Sequence, residues 1–137
     1  MIRRDVGLVA LGGALGASAR YGITEHFPTD AGTFPVTTLV VNLAGAFALG
    51  LVLEMVAMHR VEDRWVRPLV GIGLLGAFTT FSTFAVEVTE LFRDDAYVVA
   101  TSYAAVSLVA GVAAATLGLM AAGWRPRLGA PPDEGES

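Results

Sequence analysis

Four stretches of this chain, residues 6 to 24, 36 to 58, 66 to 92 and 96 to 123, are each apolar over about the 20 residues that a bilayer crossing needs. Together they take up almost the whole of its 137 residues. Hydrocarbon offers no water to peptide groups, so such stretches must pair their backbones internally and read as helices. The connections are short: a loop from Phe27 to Pro35, a charged turn from His59 to Arg67 and an acidic turn from Arg93 to Asp95. Short connections give antiparallel hairpins. Composition agrees, with 54% hydrophobic and 16% charged residues and a mean hydropathy of +0.61, against about 25% charged in soluble domains. The expected fold is an all-α membrane protein, with residues 1–123 as one four-helix domain and 124–137 as a disordered polar tail.

Arg3 and Arg4 before an apolar run that ends near Ala17, Ser18 and Ala19 also fit a cleavable signal, but three further spans favour a retained first helix. With four spans, Arg3, Arg4, Arg60, Arg64, Arg67, Arg125 and Arg127 share one side and Arg20 and Arg93 the other. The positive-inside rule then sets both termini in the cytoplasm of a multi-pass cell (inner) membrane protein. The chain has no cysteine, hence no disulfide framework or thiolate site. His26 and His59 sit in separate loops with no metal-ligand spacing and no nucleophile beside them, so an enzyme is not expected. A net charge of −4 and the want of a basic patch argue against nucleic-acid binding.

Within the third stretch, residues 71 to 84 read GIGLLGAFTTFSTF. Gly71, Gly73 and Gly76 loosen a helix, which a membrane tolerates only where the freed groups meet protein, water or an ion. This predicts a broken third helix lining a site. Thr79, Thr83 and Glu87, at i, i+4 and i+8, form one polar stripe on an ideal helix, with Phe81 and Phe84 beside it. The plainer alternatives are hydroxyls bonded to their own helix, phenylalanines that only pack, and a solvated Glu87 at the rim.

The other stretches carry fewer polar groups. Gly12, Gly16 and Ala19 give the first a small-residue face for close helix packing. Arg20, near its end, is either an interfacial anchor or a source of positive potential in an anion's vestibule. In the second, Asn42 is either interhelical glue or a donor to a passing anion, and Thr38 lies one turn away on the same face. The fourth adds Thr101, Ser102, Tyr103 and Ser107, the last two sharing a face, while Gly111, Ala115 and Gly118 read as packing positions.

GGALGASARY, TTLVVN and GAFTTFSTF, in this order and at these spacings, resemble the signature of the CrcB/Fluc family of small fluoride channels over residues 12 to 107. The resemblance implies an antiparallel, dual-topology dimer of four-helix subunits with two pores and a central structural sodium ion. It implies a passive channel that exports fluoride from the cytoplasm and lowers its toxicity. By motif, Asn42 resembles the pore asparagine, and Phe81 and Phe84 the phenylalanines whose ring edges face fluoride. Thr83, Tyr103 and Ser107 resemble positions of a polar track, with Glu87 near its end and Thr38 and Ser82 as neighbours in its wall. Gly76 and Thr79 fall where backbone carbonyls bind the sodium. The chemistry is coherent, since amide, hydroxyl and aromatic-edge donors can replace fluoride's hydration without a fixed cation that would trap it.

Two rival readings accompany this one. A small multidrug-type proton-coupled exporter would need a deep carboxylate, yet no acid lies between Val6 and Ile23. A non-transporting membrane scaffold would tolerate replacement of Asn42 and the phenylalanines. The arginine count of seven against two sits awkwardly with insertion in both directions. It leaves a homodimer, which is favoured here, or a heterodimer with an oppositely oriented homologue.

Overall fold

The computed structural model of the protein describes residues 2–125, and most of the polar tail expected at 124–137 lies outside them. Every regular element among the described residues is helical. Four helical runs, Arg3–His26, Val36–Ala57, Asp63–Arg93 and Tyr97–Ala122, are long and apolar enough to cross a membrane. Large side chains such as Val98, Leu108 and Val109 stay exposed, as expected of helices whose outer solvent is lipid.

Helix α1 (Ile2–His26) opens with Asp5 in its first turn, where a carboxylate suits the positive end of the dipole. It stops short of Pro28, whose ring disfavours helical geometry at Phe27. The following loop turns through Gly32 at φ 71° and is tied down by Thr37, whose hydroxyl donates to the Phe27 carbonyl at 2.7 Å. Buried Pro35 then starts α2 (Val36–Ala57). His59 at φ 53° reverses the chain.

The charged turn is shorter than the sequence predicts, because α3 (Asp63–Val66) is already helical. Asp63 and Arg67, one turn apart, pair at 2.9 Å and carry the helix through the charges. A wide π-helical segment, Arg67–Leu75, follows, then α4 (Gly76–Phe78), two extended residues, and α5 (Phe81–Arg93). After a turn with Asp95 at φ 58°, α6 (Tyr97–Ala122) ends on Gly123 at φ 114°, a left-handed cap that suits glycine.

Helices α2 and α6 form the most extensive pair; α1 lies on the π-helical segment and α4, and α5 on α6. Glycine sets both close approaches. A Cβ on Gly12 would strike the Leu69 carbonyl and one on Gly16 the Leu74 carbonyl, so the small face of α1 meets the π-helical backbone directly. Across α2 and α6, Gly50 faces the Ala115 carbonyl and Gly118 the Phe47 carbonyl. Gly111, in contrast to its sequence reading, has none of the other described residues within 4 Å of where its Cβ would stand.

Candidate functional site

The polar residues gather where the third apolar run leaves helical geometry. Thr79 (φ −75°, ψ 156°) and Thr80 (φ −145°, ψ 119°) are extended; the Thr79 amide still reaches the Leu75 carbonyl at 3.0 Å, but backbone groups beyond it lose their partners one turn away. Side chains from three elements take them up. Thr80 caps α5, its Oγ1 accepting the Thr83 amide at 3.1 Å and donating to Thr83 Oγ1 at 2.9 Å. Asn42 of α2 donates from Nδ2 to the Thr80 carbonyl at 3.0 Å and accepts the Thr80 amide on Oδ1 at 2.8 Å. Arg20 of α1 donates from Nε to the Ala77 carbonyl at 3.1 Å.

This geometry corrects one sequence expectation. Thr79, Thr83 and Glu87 do not make a single stripe, because that pattern assumes an unbroken helix and the chain leaves it at Thr79. Thr79 Oγ1 instead donates to the Leu75 carbonyl one turn back, at 2.9 Å. Its methyl group fills the space left by the missing side chain of Gly45 on α2.

Beside the extended residues runs a groove of about 600 Å³ whose lining includes Asn42, Gly76, Thr79, Phe81, Phe84 and Ser107. Phe81 is 81% exposed, although it belongs to an apolar run, and its ring centre lies 5.9 Å from that of Phe84. Ser107 Oγ is buried and has no hydrogen-bond partner among the described residues. Ser82 is exposed, with its hydroxyl 3.3 Å from Thr80 Oγ1.

A second cavity, of about 680 Å³, opens beneath the α1–α2 loop and is lined by Arg20, Thr38, Thr83 and Glu87 among others. Here Glu87 accepts from Thr38 Oγ1 at 2.6 Å and from the Tyr103 hydroxyl at 2.7 Å, one donor on each carboxylate oxygen. Thr38 is 2% and Tyr103 0% exposed, so these bonds to a carboxylate are worth about 1.5–3 kcal/mol each. The Tyr103 ring links the two spaces: its centre is 5.2 Å from Phe84 and 5.3 Å, edge-on, from Phe34.

Asn42, Phe81, Phe84 and Ser107 therefore share one space, and Arg20, Thr38, Thr83 and Glu87 the next, with Tyr103 between them. Two residues escaped the sequence reading. Thr80 shows an N-cap signal, a threonine three residues before Thr83 at the head of a helix. Phe34 shows none, since its contact with Tyr103 is fixed only by how the loop folds back.

Four membrane-crossing helical runs with polar side chains turned inward define a multi-pass membrane protein. A family model, CrcB-like protein, Camphor Resistance (CrcB), matches residues 7–119, and the chain belongs to this family. Among curated relatives, fluoride-specific ion channel FluC 3 of Streptomyces avermitilis is 50% identical over 126 residues, covering 89% of this chain and 62% of the relative. FluC 2 of Nocardia farcinica is 43% identical over 116 residues, covering 85% and 83%. FluC 1 of Rhodococcus jostii is 45% identical over 127 residues, covering 93% and 91%. The chain thus spans less than two thirds of the first relative's length and most of the other two. All three names are those of channels rather than enzymes.

Proposed function

We propose that the protein is a fluoride-selective passive ion channel that lets fluoride leave the cytoplasm and so lowers its toxicity. The observation that carries this reading is the convergence of Asn42, Phe81, Phe84 and Ser107 on one groove beside a cavity holding Arg20, Thr38, Thr83 and Glu87. Fluoride is small and firmly hydrated, so a path for it must offer many weak donors in succession. Hydroxyl, amide and aromatic-edge groups are such donors. Arg20 at the cavity raises the local potential for an anion, while its Nε stays engaged with Ala77. The names of the relatives support the choice of ion.

The broken third helix and an antiparallel dimer with two pores belong to the same proposal. The extended pair Thr79–Thr80 supports the first. The exposure of Phe81 and Gly76 along an open groove supports a second subunit, either a copy or an oppositely oriented homologue, closing over it.

Sodium at the subunit interface is proposed on donor chemistry. Thr79 at ψ 156° swings its carbonyl off the helix axis, and Gly76 lies exposed on the same groove. Neutral carbonyl oxygens suit a hard monovalent cation, and two from each subunit would complete a shell. A bound sodium would supply fixed positive charge there and hold the subunits together.

Fluoride efflux from liposomes containing the purified protein tests the reading, with chloride efflux as control and Phe81→Ala alongside. Fast fluoride release without chloride release, lost in the variant, is expected. Comparable release of both ions would overturn selectivity. No release, alone or with an oppositely oriented relative coexpressed, would overturn the channel.

A further inference from the structure

A continuous helix through the third run would pair the Thr80 amide with the Gly76 carbonyl and the Phe81 amide with the Ala77 carbonyl. One end of each bond is taken up from outside the run. Asn42 Oδ1 takes the Thr80 amide, and Arg20 Nε takes the Ala77 carbonyl. Asn42 does more than accept, since its Nδ2 returns a bond to the carbonyl of the same residue.

A primary carboxamide is planar, like a peptide group, and carries a donor and an acceptor side by side. Thr80 has strand dihedrals, φ −145° and ψ 119°. The two bonds, at 3.0 and 2.8 Å, therefore copy the reciprocal exchange of a hydrogen-bonded residue pair in an antiparallel sheet, with a side chain as the second strand. Leucine matches the shape of asparagine but offers neither bond. Neutral aspartic acid offers both.

We propose that Asn42 is the positioning residue that selects extended over helical backbone at Thr80. It thereby fixes the start of α5, and with it the directions of Phe81 and Phe84. Without it, the Thr80 amide and carbonyl both lose the partners they have across the break. The helical bond from the Thr80 amide to the Gly76 carbonyl is then the available remedy. The pairing also limits what Asn42 can give a passing ion: one of its two N–H groups is engaged and one is left. This role bears on the proposed pore, yet its test reads backbone conformation and stands apart from any flux.

The test is the Thr80 Cα and Cβ chemical shifts, read by NMR on threonine-labelled full-length protein in micelles. In the unaltered protein they fall in the extended range. In Asn42→Leu they are expected to move to the helical range, while those of Thr116, far along α6, stay in place. Asn42→Asp at low pH, where the acid is neutral, is expected to keep the extended values. Asn42→Ala removes both bonds without adding bulk, and is expected to shift Thr80 as Asn42→Leu does. This variant decides the matter if Asn42→Leu does not fold. Extended shifts retained in Asn42→Leu, or in Asn42→Ala if that variant is lost, would overturn the proposal. Absent fluoride efflux with the expected shifts would instead overturn the channel reading alone.

Discussion

The α2–α6 pair and the extended break between α4 and α5 solve the same problem, holding apolar helices against their neighbours, by opposite means. Along α2 and α6 the fit is steric: Gly50 and Gly118 each admit a carbonyl of the other helix where a side chain would stand. Lipid is as apolar as leucine, so burial of apolar surface cannot drive this pairing, and close backbone approach takes its place. The break between α4 and α5 relies on polar repair, although the π-helical segment before it meets α1 through the same glycine device. At the break the backbone leaves the helical path, and Arg20, Asn42 and Thr80 pair the groups set free. Adding bulk threatens the first arrangement, and removing a single donor or acceptor threatens the second.

The sharpest way to break this contrast is Gly118→Val, which drives a side chain into the Phe47 carbonyl. Rigid backbone cannot yield as a side-chain tip does, so a loss at the upper end of about 1–3 kcal/mol or more is expected in thermal unfolding in micelles. Glu87→Gln probes the polar region with almost no change of volume. A neutral amide cannot accept on both ends, so either Thr38 or buried Tyr103 loses its acceptor. A loss of about 1–3 kcal/mol by the same assay is expected. An unchanged midpoint would mean that the two hydroxyls have other partners to hand. Gly111→Ala calibrates both: with none of the described residues within 4 Å, it should move stability by no more than about 0.5–1 kcal/mol. A large loss there would instead reveal a face covered by another subunit.

Much of this architecture was legible because hydropathy and helix length speak directly to a bilayer. The second run, expected at 36 to 58, is the helix Val36–Ala57. The third begins earlier than its apolar residues, since the Asp63–Arg67 pair extends the helix beyond them. Periodicity failed at Thr79 because counting by 3.6 presumes the regular helix that the glycines and the extended pair interrupt. The nearness of Asn42 to Phe81 and Phe84 followed from motif, while its fork onto Thr80 did not. That contact joins residues 38 apart in sequence, and no local pattern encodes it.

One contact at the other end has a practical side. Arg60 donates from Nη1 to the Ala122 carbonyl at 2.8 Å, clasping the last turn of α6 beside the left-handed Gly123. The chain therefore departs α6 next to the α2–α3 turn, a full span away from the cavity beneath the α1–α2 loop. A tether joined past Trp124 would then hold a subunit by the end opposite that cavity and leave the cavity's mouth clear of the anchor.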